Sequence, residues 1–77
     1  MNLKIGQRWS EAQEDPFDVR WDAVIIDIKK NYKGIGYVKY YRILSDEEWP
    51  VKVADSYTCT TKHFSEVFRT LVGVVKV

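Results

Sequence analysis

The chain is poor in the residues that dominate several protein classes. It has one cysteine, Cys59, one histidine, His63, two prolines and four glycines in 77 residues. A lone cysteine leaves no internal disulfide, so the sequence is expected to belong to a reducing compartment, the cytoplasm. So little glycine and proline, with 45% hydrophobic residues, excludes collagen-like and low-complexity chains. Long apolar runs are missing too. The longest uncharged apolar stretches, 23–26 and 71–75, fall far short of a bilayer span, and Met1–Trp9 does not read as a secretory signal. The expectation is one small soluble domain over residues 1–77.

What is present is charge and aromatic area. Lysine and arginine number twelve against eleven acids, for a net charge of +1, but the average conceals blocks. Residues 1–28 sum to −3, and residues 45–55 again to −3. Between them Lys29, Lys30, Lys33, Lys39 and Arg42 stand with no acid, and the last 22 residues carry +2. The acidic blocks weaken the field of the basic one unless the fold separates them.

Strand formers dominate the pattern. Residues 3–9 read as a first strand and residues 10–15 as a polar loop interrupted by Pro16. From Phe17 a long strand-like run changes parity near Trp21 and Asp22, which predicts a bulge or bend there. Asn31, Gly34 and Gly36 mark a turn, and 37–44 alternates as the returning strand. Val51 and Val53 suggest a short strand, and the Thr-rich stretch 56–61 another. Phe64, Val67, Phe68 and Leu71 then follow helical spacing over about two and a half turns, with Thr60 or Thr61 as N-cap and Gly73 as stop, before a last strand over 74–77. The fold class is mainly β: a small SH3-like barrel or a strongly bent antiparallel sheet of four to five strands, with one short C-terminal helix.

Gly6-Gln7-Arg8-Trp9, Tyr37-Val38-Lys39-Tyr40-Tyr41 and the late helix from Phe64 to Phe68 resemble small SH3-like β-barrel accessory proteins of bacteriophages. That resemblance implies an accessory binding role toward a host or phage component, including inhibition of a host or defence protein in host cytoplasm. It carries no catalytic motif.

Enzyme chemistry finds little support. Cys59 and His63 could form a nucleophile and base, yet no third residue orients them. They are too few for a closed zinc site. Asp15, Asp18, Asp22 and Asp27 lack the spacing of a calcium loop, and Asp46, Glu47 and Glu48 read as a solvated turn. Asp22 and Asp27 fall on opposite strand faces unless a bulge realigns them. The chain is therefore expected to be non-catalytic, without cofactor or metal.

Binding is the stronger expectation. Three tryptophans and five tyrosines exceed what a small core readily hides. Trp21, Tyr41, Arg42 and Trp49 are the expected protein-binding anchors, with Tyr32 and Lys33 at the hairpin tip. The alternative is a nucleic-acid surface made of Lys29, Lys30, Tyr32, Lys33, Lys39 and Arg42, where cations meet phosphates and tyrosines stack on bases. A homodimer through the apolar 72–77 stretch is a further expectation.

Overall fold

The computed structural model describes residues 2–12, 17–52 and 54–77. Five strands and one helix follow in the order β1 (Gln7–Glu11), β2 (Trp21–Lys30), β3 (Gly36–Leu44), β4 (Asp55–Thr60), α1 (Thr61–Val67) and β5 (Phe68–Val74). All neighbouring pairs are antiparallel, and the sheet order is β4-β3-β2-β1-β5. The mainly-β expectation, with five strands and a short C-terminal helix, is met.

The barrel is not. In that order β4 and β5 are the two ends of the sheet, and no ladder joins them. The reason lies in α1, which carries the chain from the end of β4 to the start of β5 and packs against β3, β4 and β5. Its Phe64, fully buried, and the following Phe68 stand in the seam. Backbones separated by aromatic side chains cannot approach the roughly 4.8 Å that a β-ladder requires. The sheet is therefore open, and the SH3-like barrel is corrected to an open five-stranded sheet with a helix across its gap.

The sheet has two covered faces. On the helix side, Trp9, Ala23, Ile25, Val38, Phe64 and Phe68 form the core, joined by Leu3, Ile28, Tyr40, Cys59 and Val67. On the other side, Val24 and Ile43 are buried beside Arg8 and Asp22. There the Arg8 guanidinium donates to Asp22 at 2.6 Å and to the carbonyls of Leu44, Ser45 and Glu47. This fastens the loop after β3 over the face opposite the helix.

Several local expectations move. The bulge falls between Ile25 and Asp27 in the β2–β3 ladder, later than Trp21. Phe17 stands outside any strand and is almost fully exposed, as β2 begins only at Trp21. The first strand starts at Gln7, because Gly6 at φ 92° turns the chain and an added Cβ would lie 2.7 Å from the Val75 carbonyl oxygen. Val51 is not in a strand, and Val53 lies outside the described residues, as do Asp15 and Pro16.

The helix ends at Val67, so Leu71 is not helical and Gly73 stops nothing. Phe68 already has extended backbone, and β5 pairs Glu11↔Phe68, Ser10↔Thr70 and Trp9↔Leu71. The free edge of β1 offers a hydrogen-bond ladder to the stretch from Thr70 to Val74, in which Thr70, Val72 and Val74 are β-branched. That ladder overrides helical periodicity. The last strand thus spans Phe68–Val74, where the periodicity led us to expect 74–77. Thr60 is the N-cap, its hydroxyl accepting from the His63 N–H at 3.1 Å.

Candidate functional site

The pleat of β3 decides where the expected anchors lie. Tyr41 and Arg42 are consecutive in a strand, so their side chains leave the sheet on opposite faces. The four anchors fall accordingly into two pairs. On the loop side Tyr41 stacks on Trp49, with ring centroids 5.8 Å apart. The Trp49 indole N–H donates to the Lys76 carbonyl at 2.9 Å, which ties the loop to the C-terminal segment. These two aromatics hold the loop to the sheet.

On the helix side Arg42 lies opposite Ala23 in the ladder, and Trp21 is two residues before Ala23 on the same face. The guanidinium carbon sits 4.1 Å from the Trp21 ring centroid and 5.9 Å from that of Tyr57. Cation–π contact of this kind fixes the plane of the guanidinium while leaving its edge open. Asp55 is the cross-strand neighbour of Arg42, yet Arg42 forms no ion pair among the described residues. Its side-chain N–H groups meet no acceptor among the described residues.

Arg42 opens into a depression of about 200 Å³ at the seam between β4 and the α1–β5 corner. Tyr40, Tyr57, Val67 and Phe68 line it, with Glu11 and His63 also contributing. Tyr40 packs edge-on against Phe64 and Phe68, and its ring is 5.9 Å from Tyr57. Burial pushes the Tyr40 hydroxyl above its ordinary pKa; Cys59 and Tyr57 add to this and Arg42 opposes it. The phenol is accordingly a neutral donor at physiological pH. Glu11 accepts the Trp21 backbone N–H at 3.0 Å, which engages one of its oxygens. The site can hold a planar anion: a fixed guanidinium beside phenols, on an aromatic floor.

The basic block is distributed differently. Lys29, Tyr37 and Lys39 are on the loop side together with Asp27, and Lys29 pairs with Asp27 at 3.4 Å. Lys30 is on the helix side, and Tyr32 and Lys33 occupy the hairpin tip with Tyr32 92% exposed. Arg42 is six residues from Gly36 along β3, about 20 Å at strand rise, and does not join this group.

The carboxylates do not converge. The bulge puts Asp22 and Asp27 on one face, opposite Ile43 and Lys39, but four residues of β3 separate those partners. That is about 13 Å, beyond the separation at which two carboxyl groups flank one bond. Asp22 is buried against Arg8, and Asp27 belongs to Lys29. Cys59 packs against the core, where burial pushes its thiol up against the opposing effect of a backbone hydrogen bond from Phe64. Among the described residues no three His, Cys, Asp or Glu side chains group as metal ligands. Nor, among the described residues, is any helix long and apolar enough to cross a membrane.

Sequence reasoning missed Tyr57 and Glu11 as neighbours of Arg42. Their signal was weak: each sits on a different strand, and only the sheet order brings them together. No protein-family model, curated protein or solved structure matches the chain. With the barrel absent as well, the resemblance to bacteriophage SH3-like proteins does not hold, and it lends no support to the inhibitor and host-interaction roles it implied.

Proposed function

We propose that this domain is a non-catalytic protein-binding module that receives a carboxylate side chain of a partner segment at Arg42. The observation that carries the reading is the guanidinium held between Trp21 and Tyr57 with no ion pair among the described residues, although Glu11 lines the same depression with one oxygen engaged by the Trp21 N–H. A long arginine normally loses side-chain entropy on forming a contact; here the two rings have already fixed it. Its planar fork matches a carboxylate in two parallel hydrogen bonds. The Tyr40–Phe68 floor would take the methylene groups behind that carboxylate.

A library of randomised peptides selected on the immobilised domain tests this. Enrichment of Asp or Glu at one position is expected, and Arg42→Gln should weaken the selected peptide at least tenfold, in line with the roughly 1.5–3 kcal/mol of a charge-assisted pair. Trp21→Leu should weaken it several-fold by releasing the guanidinium. A library that enriches no acidic residue, or a selected peptide indifferent to Arg42→Gln, would overturn the reading.

A further inference from the structure

The fold builds a second charged surface, and two of its lysines come from outside the basic block. Lys4 lies before β1, Lys30 ends β2, and Lys62 is in the first turn of α1. All three line one open groove of about 700 Å³, together with Asn2, Thr61 and Ser65. Among the described residues no carboxylate lines it. All three lysines are exposed and none is in an ion pair among the described residues. Close by, the hairpin adds Lys33 and a Tyr32 ring that is 92% exposed. The tip is ordered by its own chemistry: Asn31 Oδ1 accepts from the N–H groups of Lys33 and Ile35 at 2.9 and 3.0 Å.

The strand directions explain why the acids do not cancel this charge. β2 runs from Asp22 to Lys30, β3 returns from Gly36 to Leu44, and β4 runs from Asp55 back toward Thr60. The 45–48 turn therefore lies at the far end of the sheet, where the Ser45 N–H donates to the Arg20 carbonyl. Lys4, Lys29, Lys30, Lys33, Lys39 and Lys62 gather at the hairpin end, against Asp27 in β2 and Glu66, one helical turn after Lys62. The molecule is 40 Å long, several Debye lengths at physiological salt, so the acidic end does not screen the basic one.

We infer that the Lys4–Lys30–Lys62 groove binds the phosphate backbone of a single-stranded nucleic acid, with Tyr32 stacking on an adjacent base. Lysines act on phosphate as point charges, and the groove's hydroxyls and amide supply neutral donors beside them. A fully exposed tyrosine next to a cationic track has a partner in an unstacked base, which a duplex does not offer. The size of the groove suits a flexible strand entering between the N-terminal segment and the helix.

Fluorescence anisotropy with a labelled mixed-sequence 12-nucleotide single strand tests the inference at several salt concentrations. Three phosphate contacts give a slope of log K on log salt of about −2, at roughly −0.7 per contact for single strands. Lys4→Ala with Lys62→Ala should reduce that slope by about 1.4 and lower affinity at least tenfold at low salt. Tyr32→Ala should weaken binding at least fivefold. Lys52→Ala with Lys76→Ala, two exposed lysines outside the groove, removes the same charge and should leave the slope unchanged. Circular dichroism confirms the fold of each variant. Equal losses from both double variants would reduce the effect to net charge and overturn the site. Absence of salt-dependent binding, or tighter association with a duplex of the same length or with phosphatidylserine vesicles, would overturn it equally.

Discussion

Arg8 shows how much of this domain rests on single polar residues. It is 8% exposed, Asp22 is 1% exposed, and their 2.6 Å contact sits between the sheet and the loop after β3. Removing one partner of a buried pair leaves a charge without compensation, which costs about 3–5 kcal/mol. Here Arg8→Ala also removes the Arg8 donor from the carbonyls of Ser45 and Glu47, and from that of Leu44, which keeps the Glu47 N–H. For a chain of this length, total stability is only about 4–12 kcal/mol. Urea unfolding should therefore show Arg8→Ala largely unfolded or close to it, whereas Asp22→Asn should cost less: it too removes a counter-ion, but the Asn oxygen and three loop carbonyls still accept from the guanidinium. If Arg8→Ala lost less than about 1 kcal/mol, the pair would not be what holds the loop. Asp22 Oδ1 and Ser10 Oγ, both buried, have no hydrogen-bond partner among the described residues, so Asp22 is incompletely satisfied by Arg8. None of this was legible in the sequence. Arg8 looked like an ordinary polar position in an alternating strand, and only the covering loop turns that face into an interior.

At the scale of elements, legibility followed the locality of the forces. The Asn31–Gly36 turn was readable because its determinants are its own residues: the Asn31 side chain accepts the turn's N–H groups, and Gly34 takes φ 80°. The helix was half readable. Its N-cap at Thr60 is local and was found, while its end depends on a strand sixty residues earlier in the chain and was not. A seven-residue helix is far below the length at which helices persist alone. It is held by Phe64, fully buried against Tyr40 and Phe68. Phe64→Ala should thus cost about 3–5 kcal/mol and loosen α1 specifically. Hydrogen exchange would show this as loss of protection at 61–67 before the β2–β3 ladder. Simultaneous loss of protection throughout would mean that helix and sheet form one cooperative unit. The β5 edge is a contrasting case. Leu71, Val72 and Val74 are exposed along it, but two register shifts against β1 interrupt the strand, which makes it a poor template for a further strand.

At the scale of the whole molecule, sheet topology converts charge blocks along the chain into charge at opposite ends. The composition showed the blocks; their separation needed the strand order, since an alternating sequence of −3, +5, −3 and +2 would cancel in a different arrangement. The same order separates the two proposed sites. Arg42 is about 20 Å along β3 from the hairpin end, more than two Debye lengths of about 8 Å at physiological salt. No element is seen here in two arrangements that both sites could bias, and coupling between sites requires one. An acidic peptide held at Arg42 should therefore change the affinity for a single-stranded oligonucleotide by less than twofold at 150 mM salt, and the reverse should hold by linkage. At 10 mM salt the Debye length grows to about 30 Å. The peptide's negative charge then reaches the lysines, and it should weaken oligonucleotide binding measurably. Competition titrations at the two salt concentrations separate these regimes. Mutual exclusion at 150 mM would show that both ligands use one surface, and the division of the molecule into two ends would fail.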